Sequence, residues 1–245
     1  MPNAIDVLLV LVFAVLLPLW SHFISWPKHE RAVDAGDPRA RSRAYVRTML
    51  EQWALVIAAL VLMLANRRSL DGLWLAMPVG WRNAGFALAL VYVALVIVQG
   101  RMIAAKPAAL TKLRAKLQPL RALIPHTPGE FRLFTLLSLT AGICEEFLFR
   151  GYMVWVLKAV MGLYPAALLS MVAFGLAHGY QGGKFGFRAF MAGVAMGVLA
   201  LATRSLLPSM LLHFMIDLGG GWVTYLAMSR GGDHTPAKVP NGVAA

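Results

Sequence analysis

Seven apolar stretches of about 20 residues constrain this chain more than any other feature, because that is the length an α-helix needs to cross a hydrocarbon core of about 30 Å. They run approximately from Ala4 to His22, Met49 to Asn66, Ala84 to Ile103, Phe131 to Met161, Tyr164 to His178, Phe187 to Thr203 and Leu206 to Met228. The fourth is long enough to be a tilted helix or a span with an interfacial extension, and the short stretch from Leu73 to Val79 reads as interfacial. The expected fold is all-α, a polytopic membrane helical bundle of about seven spans. Composition agrees: 59% hydrophobic residues, 14% charged residues and a mean hydropathy of +0.67 depart from an ordinary soluble domain. The first stretch has neither a basic n-region nor a small-x-small cleavage site, so it reads as a retained span.

A net charge of +12 raises the question of nucleic acid. The distribution answers it. With each basic residue assigned to the nearer span end, 17 of the 23 Lys and Arg fall on one side and six on the other. That asymmetry follows the positive-inside rule, with the N-terminus outside and the C-terminus in the cytoplasm. The basic residues interleave with spans and no nucleic-acid-binding motif accompanies them, so no nucleic-acid partner is expected. Anionic membrane lipid is the simpler partner for the same charges. Cys144 is the only cysteine, which excludes an intrachain disulfide and a multi-cysteine metal site.

Ionisable residues inside the apolar stretches are the informative ones, since a charge at bilayer depth costs at least ~2.5 kcal/mol and such residues usually face a protein interior or water. Eight of the eleven carboxylates lie in loops or at span ends, Asp6 and Glu130 among them; Glu145, Glu146 and Asp217 do not. His178 and His213 are the corresponding histidines. Glu146 and Arg150 stand one helical turn apart and can pair, leaving Glu145, rotated by about 100°, free to face a cavity as a general base. His213 and Asp217 are also one turn apart, so a carboxylate can orient the imidazole. Phe174 shares a face with His178 and would shape a wall beside it. Glu145, His178, His213 and Asp217 around one pocket are the groups needed to activate water. Taken singly, the same residues also suit a structural ion pair, a histidine satisfying a backbone carbonyl, or a proton relay in a transporter.

The ordered set Glu145-Glu146-x-x-x-Arg150, Phe174-x-x-x-His178 and His213-x-x-x-Asp217 resembles the three motifs of the CAAX-protease and bacteriocin-processing (CPBP, or Abi) family of intramembrane proteases. The resemblance covers about Phe131 to Met228. It implies an endopeptidase in which Glu145 activates a water for attack on the scissile amide and His178 helps hold that water or a metal. His213 and the residue four later would stabilise the oxyanion. The third motif of the family often ends in Asn; Asp217, acceptor-only when ionised, is better suited to orienting His213. Arg150 would hold Glu146, with a substrate-carboxylate contact as a weaker role.

A cofactor is either absent or Zn2+. Glu145, His178 and His213 are the ligands if a metal is used, but no HExxH-like spacing places two ligands on one helix, which favours a metal-free glutamate mechanism. Gly175 and Gly179 beside His178, and Gly193 and Gly197 one helix later, would let backbones approach closely. The Gly219-Gly220-Gly221 run would loosen or bend the last span. His213 falls closer to the outer side than His178 and Glu145 unless the last helix is tilted or starts deep. The expected organisation is residues 1–130 as N-terminal spans with basic cytoplasmic loops, 131–229 as the catalytic helical core and 230–245 as a polar tail. The expected function is an intramembrane endopeptidase of the bacterial inner membrane acting on a membrane-associated protein or peptide. A non-catalytic scaffold for partner binding or bacteriocin self-immunity, and a proton-coupled transporter, are the alternatives.

Overall fold

The computed structural model describes residues 1–229, so the polar tail at 230–245 lies outside the described residues. Within them the chain is helical, with no strand. Helix α1 (Ala4–Asp34) is a single rod containing two π-turns, at Val12–Leu16 and Ser21–Ser25. Then follow α2 (Ala40–Ala65), α3 (Ala84–Ala104), the shorter α4 (Pro107–Leu117), and α5 over 128–161. The chain closes with α6 (Leu163–Ala177), α7 (Gly183–Thr203) and α8 (Leu207–Ser229). The seven long rods coincide with the seven apolar stretches, and the fourth is one continuous helix.

Five of the rods are long and apolar enough to cross a membrane by composition alone: α1, α2, Gly80–Ala104, Leu163–Gln181 and α7. The other two, α5 and α8, carry Glu145, Glu146 and Arg150 on one and His213 and Asp217 on the other, which is what lowers their apolar character. These two pack against each other, with the polar stretch of α5 inside the bundle. Every residue from Glu146 to Met153 of α5 is buried, whereas Ile57, Val61, Leu64, Leu90, Leu95, Leu168, Leu176 and Val198 on the outer helices are exposed. Apolar residues outside and charged residues inside are the arrangement of an integral membrane protein.

Local chemistry sets the entry to α5. Thr127 and Glu130 form a capping box and Pro128 occupies the first turn, where its missing N–H is no loss. Glu130, far from being a free loop carboxylate, is buried, accepts from the His126 and Thr127 N–H groups at 2.7 and 3.2 Å, and pairs with Arg41 of α2 at 3.5 Å. At the opposite end Asp6 has no exposed surface. It accepts from Arg68 Nη1 at 2.6 Å and from the Tyr152 hydroxyl at 2.7 Å, tying α1 and the loop after α2 to α5. Neither tie was apparent from position along the chain, which placed Asp6 at a span end and Glu130 in a loop.

The segment from Leu73 to Val79 is anchored to the bundle: Leu73 is fully buried, and the Trp74 and Ala76 carbonyls accept from Leu206 N–H (2.8 Å) and Ser205 Oγ (2.7 Å) at the start of α8. The expectations for the glycines are corrected in part. The Gly219-Gly220-Gly221 run stays helical within α8, because Gly219 receives Val96 and Gly221 receives Phe134 in close contact. Of the glycine pairs, Gly175 meets Phe190, Gly193 meets Phe174 and Gly197 meets Met171, but Gly179 has open space around it.

The closest approach of a glycine to the backbone of another helix is at one the motifs do not include. A Cβ on Gly142 would lie 2.8 Å from the Met210 carbonyl oxygen and 3.0 Å from the Phe214 nitrogen, so the α5 and α8 backbones touch one turn before Glu145 and beside His213. Backbone cannot swing aside as a side chain can. Gly142→Ala is expected to destabilise the detergent-solubilised protein by about 1–3 kcal/mol through overpacking, read as a lowered thermal unfolding midpoint; an unchanged midpoint would show that the two helices are not in this register.

Candidate active site

Helix α5 changes its winding where the chemistry begins. It is α-helical to Glu145 and π-helical over Glu146–Met153, a widening that recurs at functional sites. Within the π segment Glu146 and Arg150 pair as expected, Arg150 Nη1 donating to Glu146 Oε1 at 3.0 Å with both residues buried. Arg150 also donates through Nη2 to the Gly193 carbonyl of α7 at 2.8 Å and lies over the Phe174 ring at 4.1 Å. A Cβ on Gly193 would come within 3.1 Å of that guanidinium, so glycine is what lets α7 offer its carbonyl there. Both terminal nitrogens of the guanidinium are thus engaged inside the protein, while Nε is buried without a partner.

Glu146 has a second task. His213 Nδ1 lies 2.9 Å from the same Oε1 that Arg150 engages, so Nδ1 donates to Glu146 and the imidazole is fixed from α5. Asp217, expected to orient His213, stands at 3.6 Å from Nε2 and is the more exposed partner. The orienting carboxylate is therefore principally Glu146, with Asp217 flanking the opposite nitrogen.

His178 follows the last turn of α6. Its Nδ1 donates to the Phe174 carbonyl at 2.8 Å, and its ring lies on Phe174 with centroids 4.5 Å apart. With the proton on Nδ1, a neutral His178 presents its Nε2 lone pair. That lone pair faces Glu145. One Glu145 oxygen, Oε2, lies 3.9 Å from His178 Nε2 and 3.9 Å from His213 Nε2, and is buried without a hydrogen-bond partner. The other, Oε1, accepts from Gln52 Nε2 of α2 at 2.6 Å.

The structure accordingly brings Glu145, Glu146, Arg150, His178, His213 and Asp217 together, in a layer drawn from α5, α6 and α8. The discrepancy in depth disappears for a structural reason. Helix α6 has 15 residues and is about 22 Å long, so it ends against the middle of α5, while α8 starts beside Gly151, where Leu206 packs. His213, six residues into α8, is then level with Glu145. Gln52, Gly142 and Gly193 are the site residues that the motifs do not contain. A lone amide inside an apolar stretch is a signal for Gln52, but sorting by ionisable groups passes over it.

For a metal the donors are poorly spaced. Among the described residues no three His, Cys, Asp or Glu side chains are grouped to hold an ion. Tetrahedral zinc with ligands at about 2.0–2.1 Å needs donor atoms about 3.4 Å apart, shorter than the 3.9 Å separations from Glu145 Oε2 to each histidine. A water hydrogen-bonded at about 2.8 Å to two such atoms subtends close to a right angle, which fits better.

Fold and site together define a helical membrane protein in which a partly buried glutamate and two histidines converge within the bundle. Residues 127–219 match the family model described as type II CAAX prenyl endopeptidase Rce1-like, so this part of the chain is similar to that family, consistent with the CPBP resemblance. The match begins at the cap of α5 and ends two residues after Asp217. No curated protein and no solved structure matches the chain.

The ion pair offers a check on the geometry. Arg150→Met leaves Glu146 buried without its counter-charge and is expected to cost about 3–5 kcal/mol, while the double change Glu146→Gln with Arg150→Met removes both charges and recovers most of that loss. Thermal unfolding of the three purified proteins measures it; equal loss in the single and double variants would mean the two side chains are not paired.

Proposed function

We propose that the protein is a membrane-embedded endopeptidase in which Glu145 is the general base. The observation that carries this reading is the buried, unpartnered Oε2 of Glu145 lying 3.9 Å from the Nε2 atoms of both His178 and His213. A buried carboxylate oxygen is costly to leave unpaired, and a single water bridging it to His178 satisfies both acceptors by donating its two protons.

From there the steps balance. The water oxygen attacks the scissile carbonyl carbon as its proton passes to Glu145 Oε2. The carbonyl oxygen becomes an oxyanion beside His213 Nε2, which donates to it when the imidazole is doubly protonated; Glu146 at Nδ1 and Asp217 on the other flank offset the positive charge. Glu145 then returns the proton to the leaving nitrogen as the C–N bond breaks and the oxyanion re-forms the carbonyl, giving a carboxylic acid and an amine, which leave as carboxylate and ammonium once the acid proton passes to the amine. Arg150 pairs with Glu146 and holds it in place as the acceptor for His213 Nδ1. No step requires a metal, and the 3.9 Å spacings support the metal-free form.

The substrate is a membrane-associated protein or peptide, its scissile bond delivered to the level of α5 where α6 ends. The His178 turn leads into Lys184 and Arg188, on the basic side of the bundle, which supports opening toward the cytoplasm with the N-terminus outside, in a bacterial inner membrane. The residues from 131 to 229 form the catalytic core, and residues 1–130 are the N-terminal spans that enclose it.

Cleavage of a panel of membrane-tethered peptides in proteoliposomes tests this reading. Glu145→Gln keeps shape but removes the base, and is expected to abolish turnover, while a chelator leaves the wild type unaffected. Asp217→Asn is expected to retain activity to within about tenfold, since Glu146 already orients His213 through a charge-assisted bond. Wild-type activity lost on chelation, or full activity in Glu145→Gln, would overturn the mechanism.

A further inference from the structure

The proposed base needs its carboxylate held in one orientation. The terminal torsion of glutamate is broad and roughly two-fold, so a carboxylate with two free oxygens presents neither reliably to His178 and His213. Only one of the two is free here. Gln52 Nε2 donates to Glu145 Oε1 at 2.6 Å, and this leaves Oε2 as the oxygen at 3.9 Å from both histidines. The amide assignment follows from the chemistry: a carboxylate only accepts, so the nitrogen of Gln52 must face it.

Gln52 comes from α2, outside the segment that matches the Rce1-like family. Its helix is a rigid carrier. Tyr45, one side of Gln52, is buried and donates its hydroxyl to the Leu123 carbonyl at 2.6 Å; on the other side Val56, Ala59 and Met63 are buried in the main core. The residue type is also the one the site demands. A lysine there would neutralise the base as an ion pair, and a glutamate would set a second negative charge against it; an amide donates one hydrogen bond and adds no charge.

We infer that Gln52 is a positioning residue for Glu145, so that the N-terminal spans complete the active site rather than only enclosing it. This rests on the reading of Glu145 as the base. Gln52 touches neither water nor substrate in this role; it selects which carboxylate oxygen does.

Gln52→Met tests it, since methionine keeps the length and apolar stem but has no N–H. In proteoliposomes, with quenched fluorogenic peptides anchored by an S-farnesyl cysteine or by a transmembrane segment, kcat is expected to fall by about tenfold to 100-fold, the scale of a misplaced catalytic group. KM stays within about twofold and the thermal midpoint is unchanged. Gln52→Glu is expected to fall further than Gln52→Met, whereas a packing role would rank them the other way or not at all. A second readout is independent of substrate. Modification of Glu145 by dicyclohexylcarbodiimide, followed by peptide mass spectrometry, is expected to rise several-fold in Gln52→Met, because Oε1 is no longer covered by an amide. Wild-type kinetics and labelling in Gln52→Met would overturn the inference while leaving Glu145 as base intact. Full activity in Glu145→Gln, or no wild-type cleavage of either peptide, would instead tell against the base, with the labelling arm still reporting whether Gln52 holds Glu145.

Discussion

The buried pair of Glu146 and Arg150 is the interaction on which the remaining geometry depends. Alone it would be an expensive way to stabilise a helix, since desolvating two charges roughly cancels their attraction. Here each partner has a further attachment. Arg150 reaches the Gly193 carbonyl on α7 and lies on Phe174 of α6; Glu146 accepts from His213 on α8. One charge pair on α5 therefore sets the positions of three neighbouring helices, and it does so by directional bonds that tolerate little displacement. That directionality is what lipid-facing apolar packing lacks, because hydrocarbon outside the bundle is no worse a neighbour than leucine inside it.

Around this pair the two glutamates divide their labour by environment. They are adjacent in sequence, yet one is paired with an arginine and orients His213, and the other has an oxygen equidistant from two imidazoles. Glu146 lies at the start of the π-helical segment, Glu145 just before it, and the contact of Gly142 with the α8 backbone brings His213 close to both. The short α6 is the third contributor. Ending after 15 residues, it delivers His178 to the interior instead of to a membrane surface.

The two polar ties away from the site have a related purpose. Asp6 with Arg68 and Tyr152, and Glu130 with Arg41 and the His126 backbone, lock α1 and α2 to the two flanks of α5. Helix α2 is held at the Glu130 end and by its apolar core residues, which is why an amide on it can be placed to within hydrogen-bonding distance of Glu145. A site read only from the segment between residues 127 and 219 would lack that contact.

How much of this was legible in the sequence follows from the range of the interactions involved. Hydropathy determined that the chain is a helical bundle in a membrane, because the length of an apolar run is a local property that the bilayer reads directly. The ionisable residues inside those runs, at one-turn spacing, determined the identity of Glu145, Glu146, Arg150, His178, His213 and Asp217 as a set, because their cost in lipid is local as well. What each does was decided only by tertiary structure. Orientation of His213 fell principally to Glu146 and not to its own-helix neighbour Asp217, since Glu146 lies at hydrogen-bonding distance from Nδ1, 2.9 Å, whereas Asp217 stands 3.6 Å from Nε2. The burial of Asp6 and Glu130, the touching backbones at Gly142, and the hydrogen bond from Gln52 depend on residues up to 146 positions apart. Such contacts are set by how whole helices stagger against one another, and no window along the chain contains that information.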